Sequence, residues 1–187
     1  MPMALIDTRT SRILDVREKE GRSGPLIFVI VRHEIGDAEG IALREEQDIV
    51  YRDHTGSIEG KSSVPLAPVG EAWERVIQPN DVLLFRYSAL TFNAHRIHYD
   101  RRYATEVGGY PGLVVHGPLI ATLLLDLVRR NLPDAKVGRF AFRAVSPLFD
   151  TAPFAVCGKL ESDGKTISLW AKDAGGHLAT TATAARV

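Results

Sequence analysis

The chain is poor in three things, and each shortage excludes something. Cysteine is the first: Cys157 is the only one among 187 residues. One thiol can build neither an internal disulfide nor a cysteine-based zinc cluster, and such usage fits a reducing compartment. The second is charge of one sign, since 23 Lys and Arg are matched by 23 Asp and Glu. Nucleic-acid binders leave a basic footprint, so nucleic acid is not an expected partner. The same balance removes self-repulsion as an obstacle to association. The third is a long apolar run. The best candidates, residues 25–31 and 119–128, fall short of the roughly 18–20 residues of a membrane span, and Thr122 and Asp126 interrupt the second. The opening Met-Pro-Met-Ala-Leu-Ile-Asp is too short and too acidic for a signal peptide. These absences lead us to expect a cytoplasmic protein with no membrane partner. What is present, 45% hydrophobic and 25% charged residues, suffices for a packed core.

Three strand-like runs come first, at residues 11–18, 25–34 and 41–52, with Gly21, Gly24, Gly36 and Gly40 at the joints. Glycines at such joints predict an antiparallel meander. A polar stretch with no apolar period, residues 53–68, reads as a linker. Residues 82–87 read as a strand. Residues 93–111 are polar and aromatic with no clean helical period. Residues 119–130 predict a helix buried on most sides, with Pro118 in its first turn and Arg129 and Arg130 at its end. Strands follow at 136–145, 153–161, 166–172 and 177–186. The two meanders superpose: Asp37-Ala38-Glu39-Gly40 matches Asp173-Ala174-Gly175-Gly176, with a strand on either side in both. A buried helix precedes the second copy and not the first. The expectation is a partial unit over 1–70 and a complete one over 71–187. Three strands cannot bury both faces alone, so they must pair with the other copy or with another subunit, at least as a homodimer.

Side chains able to do chemistry concentrate in Tyr-Ser-Ala-Leu-Thr-Phe-Asn-Ala-His-Arg-Ile-His-Tyr-Asp-Arg-Arg-Tyr-Ala, residues 87–104. A polar loop leaving a rigid element is a common site geometry. The second feature is His116-Gly117-Pro118 at a helix start. The first N–H groups of a helix lack internal partners and carry partial positive charge, so they can hold an anion or a developing oxyanion. Pro118 donates nothing, which leaves Gly117, and its lack of a side chain admits a close carbonyl.

At these residues the sequence resembles the MaoC-like (R)-specific enoyl-thioester hydratases and dehydratases. Their signature is Asp-x-Asn-Pro-apolar-His-x-Asp, then Tyr/Phe-Ala, then His-Gly at a helix start. This chain has Asn93-Ala94-His95-Arg96-Ile97-His98-Tyr99-Asp100, Tyr103-Ala104 and His116-Gly117-Pro118. Within the family it is most similar to the mesaconyl-C4-CoA or itaconyl-CoA hydratase and type 2 hydroxyacyl-thioester dehydratase group. That group shares Ser-Ala-Leu-Thr-Phe-Asn ahead of the histidines and a Pro after His-Gly. The likeness is specific over residues 85–130, looser to residue 187, and a matter of strand pattern before residue 70. It implies an α+β hotdog fold, an antiparallel sheet wrapped around a long helix, preceded by a partial second hotdog without its helix. The chain starts inside that first hotdog, which fits a truncated or alternative start. The implied activity is reversible hydration of a 2-enoyl thioester, on coenzyme A or an acyl-carrier protein, with a short or dicarboxylic acyl group and no cofactor. The resemblance makes His98 the catalytic base and acid and Gly117 N–H the oxyanion donor. Asn93 stands where most of the family has a catalytic aspartate, and an amide orients water but takes no proton at neutral pH. Asp100 and Glu106 are the nearby carboxylates. His95, Arg96, Tyr99, Asp100, Tyr103 and His116 are the expected substrate contacts.

Blander readings compete with these. His95 and His116 can be structural, the latter fixing the loop through a hydrogen bond. His33, His54 and His177 read as ordinary surface or strand residues. His95, His98 and Asp100 do not have the spacing of a zinc site, so no metal is expected. Arg96, Arg101 and Arg102 can meet coenzyme A phosphates or form a solvated charged face. Arg143 can meet an acyl carboxylate or pair with Asp150. The glycines at 108, 109 and 112 do not form a phosphate loop, with no preceding strand and no Lys-Ser/Thr. Two rival functions remain: a hotdog thioesterase using Asp126, and a non-catalytic acyl-CoA-binding subunit.

Overall fold

The computed structural model describes residues 8–21, 24–52 and 64–187. His54 and residues 53–63 of the expected linker lie outside the described residues, as does the N-terminal segment read above for a signal peptide. The chain divides into two compact units, Met1–Ser57 and Ile58–Val187.

The first unit is a three-stranded antiparallel sheet of β1 (Thr8–Gly21), β2 (Gly24–Asp37) and β3 (Gly40–Arg52), in the order β1-β2-β3. The predicted meander is present, and its strands run longer than the apolar patterns suggested. Paired charges extend them: Arg32 reaches Glu46 at 2.6 Å and Arg44 reaches Glu34 at 2.9 Å across neighbouring strands. Such cross-strand pairs let a sheet continue where hydrophobicity stops. No helix accompanies this sheet among its described residues.

The second unit is a hotdog, α+β in class. Its five antiparallel strands are β4 (Trp73–Ile77), β5 (Val137–Ala144), β6 (Phe154–Leu160), β7 (Thr166–Lys172) and β8 (Leu178–Arg186), in the order β4-β6-β7-β8-β5. The long helix α2 (Gly117–Asn131) packs on β6, β7 and β8. Strand periodicity explains how. Phe154 and Val156 of β6 join Ile167, Leu169 and Ala171 in the core with Leu119, Ile120, Leu124, Leu127 and Val128 of the helix. The alternate residues Ala155 and Cys157 turn to the other face and meet Trp170, Ala67 and Leu178. Side chains of a strand alternate between faces, so β6 is buried on both. The helix leaves Pro118, Thr122 and its last turn, Arg129, Arg130 and Asn131, exposed and buries the rest wholly or in part.

Two sequence readings need correction. Residues 65–67 do not form a free linker: Leu178 N donates to Pro65 O at 2.8 Å, Ala67 N donates to Gly176 O at 2.9 Å, and Leu66 bridges to His177. Residues 82–87, read as a strand, belong to helix α1 (Asp81–Thr91). Asn80 caps it, with Oδ1 accepting from Leu83 N at 2.8 Å, and Asp81 lies in the first turn. A cap of this type satisfies a helix donor, and the buried Leu84 and Ser88 are spaced one turn apart. The apolar run of 82–85 hid that period.

The internal repeat survives in its turn chemistry. Asp37 Oδ1 accepts from Glu39 N at 2.8 Å, and Asp173 Oδ1 accepts from Gly175 N at 2.9 Å. Both joints are turns in which an aspartate binds the backbone two residues on.

Candidate functional site

The site is assembled from three consecutive pieces of the second unit: helix α1, the loop after it, and the start of α2. Helix α1 ends at Phe92, whose backbone is left-handed (φ 52°, ψ 32°). That reversal throws Asn93 back toward the helix, with Asn93 N donating to Ser88 O at 2.9 Å. A single 3₁₀ turn, Arg96–His98, follows, and then a π turn, Tyr103–Val107. These two turns break any helical period, which is why residues 93–111 read as patternless.

His98 is 9% exposed, and its Nδ1 lies 2.8 Å from Val114 O. A carbonyl only accepts, so Nδ1 carries the proton and Nε2 presents a lone pair. Burial, opposed by the Val114 carbonyl and reinforced by His95, lowers the His98 pKa below the ordinary 6.5. The ring is thus neutral and basic at Nε2 near pH 7. It stacks on His116 with centroids 3.8 Å apart and planes 18° apart, while His95 meets its edge at 5.5 Å. His116 is the N-cap of α2 and is fully buried. Its Nε2 lies 2.8 Å from Ser88 Oγ, its Nδ1 has no partner among the described residues, and Tyr87 packs edge-on at 4.9 Å. Burial, and then His98, push its pKa down to about 4. Gly117 opens the helix directly beside this stack. Among the described residues its N–H has no acceptor, and the space where a Cβ would project is empty.

The strand-like segment 113–115 holds His98 in place. Val114 N donates to Ile97 O at 3.0 Å and Val115 N to Leu148 O at 2.8 Å. Asp150 Oδ1 accepts from Leu113 N at 2.8 Å. Gly112 makes this approach feasible, because a Cβ there would lie 2.5 Å from Asp150 Oδ1.

Asn93 lines a cavity of about 280 Å³ together with Phe85, Ser88, Ala89, Phe92, Ala94 and Tyr99. Asn93 Oδ1 accepts from His95 N at 3.0 Å, and its amide hydrogens have no acceptor among the described residues. Tyr99 spends its hydroxyl hydrogen on Ala94 O at 3.0 Å. The cavity reaches the histidine stack through Ser88, whose hydroxyl bonds His116.

The structure thus brings together His98, His116, Gly117 and His95, and sets Asn93 and Tyr99 in the adjoining cavity. Arg96, Asp100 and Tyr103 are occupied with one another. Arg96 pairs with Asp100 at 2.7 Å and lies 4.2 Å over the Tyr103 ring, and Tyr103 N donates to Asp100 Oδ1 at 3.0 Å. The Tyr103 N–H and Arg96 hold the Asp100 carboxyl below its usual range. Arg101 is paired with Asp150 and Arg102 with Glu106, so Arg143 is not the partner of Asp150 there. Asp126, the thioesterase candidate, is bound by Arg75, Arg129 and Arg130. The Arg130 and Arg129 guanidiniums, Arg130 foremost, hold its pKa at about 2. The ligand atoms of Glu71, Glu74 and Cys157 lie within 4.8 Å of one another, but Lys172 Nζ sits 2.6 Å from Glu71 and 2.7 Å from Glu74, where a cation would go. His33 bonds Ser11 and His177 bonds Asp173, as ordinary strand and turn residues do. Sequence reasoning missed Ser88 and Tyr87 as neighbours of His116. Both lie on the helix misread as a strand; the Asn80 cap was the signal for it.

The profile of the hydroxyacyl-thioester dehydratase type 2 family matches residues 3–150. The chain belongs to that family. Mesaconyl-C(4)-CoA hydratase of Chloroflexus aurantiacus is 49% identical over 175 residues, 94% of this chain and 61% of the relative. The mitochondrial type 2 dehydratase of Schizosaccharomyces pombe is 34% identical over 132 residues, 69% of this chain and 43% of the relative. The chain therefore spans about three fifths of the first relative's length and under half of the second's. Among solved structures, HtdX from Mycobacterium tuberculosis superposes with a TM-score of 0.68 at 21% identity, covering 96% of this chain and 68% of that one. An (R)-hydratase from A. caviae gives a TM-score of 0.52 at 21% identity, covering 62% of this chain and 94% of the other. These structures agree with the hotdog fold.

Proposed function

We propose that this chain is a hydro-lyase that adds water reversibly to a 2-enoyl thioester. One observation carries the reading: a neutral histidine with its Nε2 lone pair free, stacked against the N-cap residue of a helix whose first N–H is unpaired among the described residues. In the hydration direction His98 Nε2 takes a proton from water, and the oxygen bonds Cβ. The double-bond electrons move to the thioester oxygen, and Gly117 N–H holds that charge. His98 Nε2–H then returns its proton to Cα, so the net change is the addition of one water. One imidazole near neutral pKa can serve both steps. Asn93 orients the oxygen at Cβ through its amide hydrogens and moves no proton. This role suits an asparagine where most of the MaoC-like family has an aspartate.

The 49% identity to a mesaconyl-C(4)-CoA hydratase favours a short or dicarboxylic acyl-CoA. No cofactor enters this scheme, since the thioester is itself the substrate. An oligomer, at least a homodimer, and a cytoplasmic location complete the reading. No helix among the described residues is long and apolar enough to cross a membrane. The test is an activity panel of crotonyl-CoA and mesaconyl-type thioesters, with His98→Ala beside wild type. Hydration by wild type and a loss of about 10²–10⁴-fold in the variant are expected. Turnover that survives His98→Ala removes the proposal, and release of free coenzyme A in place of hydration replaces it with thioester hydrolysis.

A further inference from the structure

Ser88 is a polar residue in an otherwise apolar stretch of cavity wall, and it is 5% exposed. Its only side-chain hydrogen bond among the described residues is to His116 Nε2, at 2.8 Å. Which atom owns the shared proton follows from the other side of the ring. His116 Nδ1 is buried without a partner among the described residues. A buried orphan N–H is rarer in proteins than an under-satisfied acceptor, so Nδ1 is the bare nitrogen and Nε2 carries the hydrogen. His116 therefore donates and Ser88 Oγ accepts. The hydroxyl hydrogen of Ser88 is then uncommitted. It is not spent on the carbonyl one turn back, as that of Thr91 is on Tyr87 O at 2.7 Å.

The start of α2 lacks a donor. Oxyanion sites ordinarily combine more than one. Here Gly117 offers one N–H, and Pro118, next in the chain, has none. Ser88 lies one hydrogen bond from the side chain of the residue that precedes Gly117, and it faces the cavity. Resting on the hydratase reading above, we infer that the Ser88 hydroxyl is the second donor to the thioester oxygen, with His116 as the positioning residue that keeps it a donor. In the reaction no proton leaves Ser88. Its hydrogen bond to the oxygen shortens as the Cα=Cβ electrons arrive there, and relaxes when Cα is protonated. The ligand it recognises is an oxygen acceptor conjugated to a double bond, not a cation.

The experiment uses the full chain and two readouts. The first is steady-state hydration of a 2-enoyl-CoA. The second is the absorption band of a bound, slowly reacting β-aryl enoyl-CoA, which moves to longer wavelength as its carbonyl is polarised. A donor that acts on the developing charge supports kcat more than KM. Ser88→Ala is expected to lose about 10²-fold in kcat, with KM little changed and the band returned toward its position in solution. Ser88→Thr retains the hydroxyl and restores both, whereas the near-isosteric Ser88→Val does not, a comparison that stands if the alanine variant fails to fold. Wild-type kcat in Ser88→Ala, or a lost kcat with the band unmoved, overturns the inference. Wild type that binds but never hydrates the thioester overturns the hydratase reading itself, a separate signature.

Discussion

His98 and His116 stack face to face, yet they differ in what their nitrogens do. His98 has one nitrogen on a carbonyl and one free, whereas His116 has one on a serine and one buried and bare. Activity needs His98 neutral in the free enzyme, so kcat/KM rises with pH through its pKa. Because burial and His95 both lower that pKa, the acid limb of the profile is expected below pH 6.5. His95→Gln removes one lowering influence and is expected to move the limb upward; a limb that stays in place excludes His95 from tuning. Stability follows the same sign. Unfolded His116 binds a proton near pH 6.5 and folded His116 only near 4. Between those values the unfolded state holds more protons, so stability is full above pH 6.5 and falls as pH is lowered toward 4. The loss reaches about 3 kcal/mol below pH 4. Asp126 and Asp163, with pKa values near 2, lose their contributions only below the ordinary carboxylate range. Urea unfolding at pH 7 and pH 5 is therefore expected to show a pH-dependent loss in wild type that His116→Gln diminishes. An undiminished loss assigns it elsewhere.

At the scale of elements, segment 113–115 matters more to the site than its length suggests. It is fastened on one side to the loop of His98 and on the other to Leu148 and Asp150. Gly112→Ala would place a methyl 2.5 Å from Asp150 Oδ1 and 2.8 Å from Thr151 Cγ2. Something must shift, and the Leu113–Asp150 bond is the first to go. The expected outcome is a loss of about 1–3 kcal/mol in denaturant unfolding, with reduced kcat because the carbonyl under His98 moves. Wild-type stability and activity would show that the fastening is dispensable. The elements also mark where sequence reasoning held. The helix at 119–130 and the strand at 166–172 were legible because their apolar spacing matches one period each. Helix α1 was not, because Val82, Leu83, Leu84 and Phe85 are consecutive apolar residues that fit either period.

For the whole molecule, the first unit poses the question of cover. Ile13, Val16, Ile41 and Tyr51 are each more than half exposed. Apolar side chains in that number on a sheet ordinarily meet a partner surface. Among the described strands the edge positions are β1 and β3 in one sheet and β4 and β5 in the other, and edge strands tend to pair. With a formal net charge of zero, little long-range repulsion opposes it. Light scattering is expected to give at least a dimer; a stable monomer over the working concentration range would refute it.

The N-terminal meander, the C-terminal strands and the long helix could be read from the chain itself, because period and turn chemistry are local, whereas β4 and the order in which the second sheet is assembled could not. So could the candidates His98 and Gly117, through a motif written in consecutive residues. The sequence did not show that His98 stacks on His116, that Ser88 bonds His116, or that Arg75 reaches Asp126. Those facts join residues 18, 28 and 51 positions apart. Only packing brings such residues within hydrogen-bond reach, and it also decides which polar groups are left without a partner.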